Sequence, residues 1–173
     1  MPGSPTEDTG GAAAGAPVVV ARADYLWFAD RALTEMAGIV RTLGDDLANR
    51  APTLPGANSP YAILTHCLGV MEYWGGATVA ERPVVRDRAA EFTASGAVGP
   101  LLQRSDEALR RLRDDLASLD AAAVPANVRR DPAHPVPYTE SKGAVLLHII
   151  EELYQHLGQM ELTRDLLLAG PAE

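Results

Sequence analysis

Four histidines occur in the chain, and their placement decides what chemistry it can do. His148, Glu152 and His156 stand at i, i+4 and i+8. In a helix each step of four advances a side chain by about 40° and about 6 Å along the axis. The two imidazoles and the carboxylate therefore line one face. Val145, Ile149 and Leu153 flank that stripe, so it borders the apolar side that should meet a core. His66 lies far upstream in an apolar run (Ala62, Ile63, Leu64, Cys67, Leu68), with Gly69, Val70 and Tyr73 sharing its face.

A metal gives buried groups of this kind a reason to converge. Two ligands at i and i+4 on one helix, joined by a third from a facing helix, form a rigid chelate. A His₂Glu set with an open fourth position is an established catalytic zinc arrangement. Neutral imidazoles with one carboxylate also suit nickel, iron or manganese, so ligand type does not choose the ion. The plainer alternatives stand beside this. A Glu–His pair at i, i+4 is often a solvated ion pair, and a histidine in an apolar helix is often a satisfied core residue.

The elements that must position these groups read as helices. Leu26, Leu33, Met36, Val40, Leu43 and Leu47 recur at steps of three, four and seven, which predicts a first helix from Val18 to about Asn49. The stretch APTLPGANSP breaks it. Ser59-Pro60 restarts a helix, with Ser as N-cap and Pro in the first turn, and Gly75-Gly76 should end it there or a turn later. Residues 81–98 read as a connection with at most a short helical turn. Leu102, Leu109, Leu112, Leu116 and Leu119 mark a third helix, and four prolines make 120–140 a long loop. Ser141 should cap a last helix, apolar at Val145, Leu146, Ile149, Leu153, Leu157, Met160 and Leu166–Leu168, that stops at Gly170-Pro171. Four amphipathic helices with no strand alternation predict an all-α, antiparallel four-helix bundle. It should occupy 18–170 as one domain, behind a flexible tail over 1–17 made almost wholly of small residues.

Composition bounds the function. The net charge is −8 and no basic face is evident, which argues against nucleic acid. A single cysteine, Cys67, excludes an internal disulfide and suits a reduced compartment. No run approaches the roughly 18 apolar residues of a membrane helix, and the N-terminus lacks signal-peptide character. The expectation is a soluble cytoplasmic protein.

The stretches NSPYAILTHCLGVMEYW (58–74) and LLHIIEELYQHLGQMELTRDLL (146–167) resemble the DinB/YfiT-like superfamily. Within it, the likeness is strongest to the branch with mycothiol-dependent maleylpyruvate isomerase and related thiol S-transferases. The resemblance implies an up-down-down-up four-helix bundle, frequent homodimers, and one divalent metal, zinc or nickel. It places the ligands at His66, Glu152 and His156. Many members carry His where Glu152 stands; the mycothiol branch carries Glu. That branch also commonly shows Arg-His-x-Gly-His, where this chain reads Gln155-His156-Leu157-Gly158-Gln159. The change leaves the ligand set intact. The implied activity is transfer of a low-molecular-weight, mycothiol-like thiol to an electrophilic substrate, or a thiol-assisted isomerisation. A metal-dependent hydrolase and a non-catalytic, dimerising metal-binding bundle are the alternatives. Around the ligands, His148, Gln159 and Tyr73 are candidates for contacting the thiol cofactor. The simpler readings are a surface or inter-helix hydrogen bonder for His148 and a core aromatic for Tyr73. Cys67, about 100° around the helix from His66, is expected to be a buried, inert thiol. His134 is expected on the surface, and Arg164 exposed near a helix C-terminus.

Overall fold

The computed structural model describes residues 19–128 and 140–170, and every regular element among them is helical. Helix α1 spans Arg22–Ala48 and buries Ala29, Ala32, Leu33, Met36, Ile39, Val40 and Leu43 along one stripe. Gly44 interrupts it at φ 64 and ψ −179, a conformation that a side chain would resist. The segment after that break is used for docking. Asp45 Oδ1 accepts from Val98 N–H at 2.8 Å, and Asn49 bonds both the N–H and the carbonyl of Gly96, at 2.9 and 2.8 Å.

Helix α2, Pro60–Val70, begins as the sequence predicts: Ser59 Oγ accepts from Ala62 N–H at 3.2 Å and Pro60 opens the first turn. Every α2 residue except Gly69 is buried, which makes it the central element of the fold. The helical rod passes Gly75-Gly76 and stops at Val79, within the further turn the sequence allowed: Met71–Val79 is a π-helix, with Ala80 N–H bonded to Gly75 O at 3.0 Å. The two glycines stay helical because neighbours fill their side-chain space: a Cβ on Gly75 would lie 3.0 Å from Leu112 Cδ1.

A strap, residues 80–92, then folds back along this rod. Its Arg82 pairs with Asp115 at 2.6 and 2.9 Å and with Glu72 at 3.0 Å. The expected helical turn is present as α3, Arg88–Glu91, capped by Asp87 Oδ1 on Ala90 N–H at 3.0 Å. Helix α4, Val98–Asp115, buries Leu101, Leu109 and Leu112. It ends before the last two leucines of the predicted stripe, yet Leu116 stays buried at its C-cap. Helix α5, Lys142–Ala169, starts at the predicted cap, with Ser141 Oγ accepting from Ala144 N–H at 3.1 Å.

Contacts fix two relative directions. Arg22, at the start of α1, bonds the carbonyls of Leu116 and Ala117 at the end of α4, while Asp45 near the end of α1 meets Val98 at the start of α4. These helices run antiparallel. The α2–π rod and α5 do likewise: His66 faces Glu152, Trp74 faces His148, and Glu81 pairs with Lys142. One core of fully buried side chains joins them, including Met36, Leu64, Leu101, Leu112, Ile149, Leu153 and Met160. Of Leu166–Leu168, expected on the apolar stripe, Leu167 packs against the core while Leu166 and Leu168 on either side of it are exposed, since one face of the helix points away from the core. The N-terminal tail, His134 and three of the loop prolines (Pro132, Pro135 and Pro137) lie outside the described residues, whereas Pro125 is described and buried. No described helix is long and apolar enough to cross a membrane.

Candidate metal centre

The antiparallel crossing of α2 and α5 brings His66, Glu152 and His156 together. One ligand atom from each lies within 4.8 Å of the others. Glu152 Oε2 is 3.4 Å from His66 Nε2 and 3.5 Å from His156 Nε2. The two rings meet edge to face at 4.8 Å and 81°. His66 is 2 % exposed, whereas the Glu152 and His156 side chains are 25 % and 19 % exposed. The cluster is therefore closed on the α2 side and open toward α5.

The outward nitrogens decide where the protons sit. His66 Nδ1 is 2.8 Å from Glu91 Oε2. Arg86 Nη2 also lies 3.4 Å from Nδ1, but it donates to Glu91 Oε2 at 2.8 Å. A bare Nδ1 lone pair held 2.8 Å from a carboxylate would be repelled, so Nδ1 carries the proton and donates to Glu91. His156 Nδ1–H donates likewise to Gln159 Oε1 at 2.9 Å. In these Nδ1–H tautomers both Nε2 lone pairs face the Glu152 carboxylate. Three acceptors then converge at a partly exposed point between α2 and α5, an arrangement that a cation satisfies. The donor set thus fits a divalent metal held by two imidazoles and a carboxylate.

Electrostatics favour the same state. Burial lowers the pKa of the His66 ring, and His156 adds to this, although hydrogen bonds to Glu91 and Glu152 oppose it. The neutral, ligating form is thereby favoured. Burial pushes the Glu91 carboxyl up, but Arg86 and His66 outweigh it and hold Glu91 below the ordinary carboxylate value. Phe92 stacks on the His66 ring at 4.5 Å and 27°, filling the remaining side.

Of the other candidates, His148 and Gln159 contact this set and Tyr73 packs elsewhere on the rod. His148 Nδ1 lies 3.2 Å from Glu151 Oε2, its Nε2 lies 3.9 Å from Glu152 Oε1, and Trp74 meets its ring edge to face at 5.3 Å. Gln159 touches His156. Tyr73 is half-buried, with the Arg86 guanidinium 5.7 Å from its ring centroid. Cys67 is fully buried, and burial raises its thiol far above the usual range, as expected of an inert core cysteine. Arg164 pairs with its neighbour Asp165 at 2.8 Å.

Glu91 and Arg86 escaped the sequence reading. They sit in the strap, within the segment that reads only as a connection with a short helical turn, and nothing in their spacing refers to His66. A cavity of about 570 Å³ lies between α2, the strap and α4, lined by Thr65, Gly69, Arg86, Glu91, Arg104 and Arg111 among others. Glu91 and Arg86 border it, but His66, Glu152 and His156 do not, so it is a separate feature from their cluster.

The family profile of the DinB superfamily matches residues 29–160, most of the chain. The chain belongs to the DinB superfamily. The match covers all three clustered side chains, the strap and the α2–π rod. No curated protein and no solved structure matches the chain significantly.

Proposed function

We propose that this DinB-superfamily protein is a divalent-metal-dependent enzyme that transfers a low-molecular-weight, mycothiol-like thiol to an electrophilic substrate. The observation that carries the reading is the donor-free convergence of His66 Nε2, His156 Nε2 and Glu152 Oε2. The thiol part draws on the likeness of segments 58–74 and 146–167 to the mycothiol branch, and it goes with an up-down-down-up arrangement of the four long helices.

Each residue has a defined task. His66, Glu152 and His156 would hold the ion, zinc or nickel. With only one carboxylate in the set, a dication retains net positive charge and lowers the pKa of a thiol at its open position. Gln159 keeps the His156 proton on Nδ1. His148, 3.9 Å from Glu152 Oε1, and Tyr73, against Arg86, would be the residues that orient the thiol. The buried His66 ring, with Phe92 stacked on it, faces away from solvent, while the exposure of Glu152 and His156 leaves an approach for small molecules.

The test is consumption of an electrophile such as monochlorobimane with added thiols, with and without chelator. The proposal expects thiol-dependent turnover that chelator abolishes and zinc or nickel restores. Turnover of esters or amides without thiol would replace it with a metal hydrolase. No turnover with any thiol, despite bound metal, would leave a metal-binding module.

A further inference from the structure

We infer that Glu91, admitted by the bare backbone of Gly69 and locked by Arg86, is the positioning residue that aims His66 at the metal centre. The inference rests on the metal reading above for its purpose, but its geometry stands independently.

Gly69 is the one α2 residue with no side chain to bury, and the space is taken. A Cβ there would lie 2.7 Å from Glu91 Cδ and 3.3 Å from Oε2, and closer still to Oε1. The carboxylate thus rests directly on the α2 backbone, one turn from His66. Glu91 Oε2 accepts the His66 Nδ1 proton at 2.8 Å, and Arg86 grips both oxygens at 2.7 and 2.8 Å. The Glu91 side chain is 9 % exposed and that of Arg86 14 %. Carboxylate and guanidinium are neutralised in place, and the two Arg86 bonds hold the carboxylate against α2.

The strap that carries the pair is docked by a second contact of the same kind. A Cβ on Gly76 would lie 2.8 Å from Arg82 Cζ. Arg82 N–H also bonds Gly76 O at 2.9 Å. Two glycines seven residues apart on the rod each admit one charged strap residue. The consequence for the centre is specific. With its proton pinned on Nδ1, His66 presents only Nε2, and the lone pair is directed toward Glu152 and His156 before any ion arrives. A carboxylate behind a ligating histidine typically contributes 10–100-fold in metal affinity.

The test compares wild type, Glu91→Ala, Glu91→Gln and Gly69→Ala, with folding checked by circular dichroism. Long-range ¹H–¹⁵N NMR of the metal-free proteins reads the His66 tautomer, and competition with a chromophoric chelator reads zinc affinity. The expected result is a proton on Nδ1 of His66 in wild type and mixed tautomers in Glu91→Ala and Gly69→Ala. Zinc binding should weaken by about 10–100-fold in both, and Glu91→Gln, which keeps an acceptor, should fall between. A proton on Nε2 in wild type, or variants matching wild type in tautomer and affinity, would overturn the inference. If wild type holds the Nδ1 tautomer yet binds no zinc, nickel or manganese, the metal reading fails and the positioning of His66 stands.

Discussion

Replacing Gly69 by alanine should have opposite signs in two backgrounds. In a helix interior the exchange ordinarily stabilises by about 1 kcal/mol. At this position the new Cβ would occupy the space of the Glu91 carboxylate, so Glu91 must withdraw. The withdrawal breaks its 2.8 Å bond from His66 and both bonds from Arg86. His66 is 2 % exposed and the Arg86 side chain 14 %, so neither donor is readily rehydrated. Unpaired buried donors cost about 1–3 kcal/mol each, with a partly wet Arg86 at the low end. The loss is then about 2–4 kcal/mol, and Gly69→Ala should destabilise the metal-free protein by about 1–3 kcal/mol net. In a Glu91→Ala background the obstruction is gone, only the helix term remains, and Gly69→Ala should stabilise by about 1 kcal/mol. The coupling between the two sites is about 2–4 kcal/mol. Urea denaturation in EDTA measures it as shifts in midpoint at unchanged m. Gly38→Ala in α1, where a Cβ meets nothing within 4 Å, supplies the reference for an unobstructed helical glycine. A higher midpoint for Gly69→Ala in the otherwise wild-type chain would refute the reasoning.

Two further outcomes follow from the same geometry. Metal-free stability should fall as pH drops below about 6.5, the ordinary histidine value. Because His66 is held below that value in the fold, the unfolded chain takes up the proton first. A second loss should follow below about 4.5, where unfolded carboxylates protonate, as the pH falls through the depressed value of Glu91. Urea midpoints against pH read both steps, and a midpoint that is flat or rises toward acid would contradict them. Cys67 should react with iodoacetamide only as the protein unfolds, since it is fully buried and burial disfavours its thiolate; prompt labelling of the native protein would contradict its place in the core.

The residues that form helices by periodicity and capping were legible: Ser59 and Ser141 cap where serine should, and the α5 stripe around Ile149 and Leu153 is buried. The convergence of His66, Glu152 and His156 was legible too, because i, i+4 spacing on one helix is local, and the resemblance pointed to His66 as its partner. What was not legible was non-local. Gly75-Gly76 marks the end of the rod to within a turn, but its π-helical form, with Leu112 and Arg82 packed against the two glycines, has no local signal. Glu91 reads as a connection residue because its meaning lies in Gly69 and His66, more than 20 residues earlier. Gly69 shows the limit from the other side. In sequence it is only a weak helix former, and its role appears once the carboxylate resting on it is seen.

The most direct measurement is elemental analysis of the untagged protein after incubation with zinc, nickel or manganese and removal of free ion, with wild type beside His66→Ala and Glu152→Ala. The account predicts about one ion per chain in wild type and its loss in both variants, which remove opposite sides of one chelate. Wild type that stays metal-free with all three ions, or variants that retain the ion, would contradict a centre built from His66, Glu152 and His156.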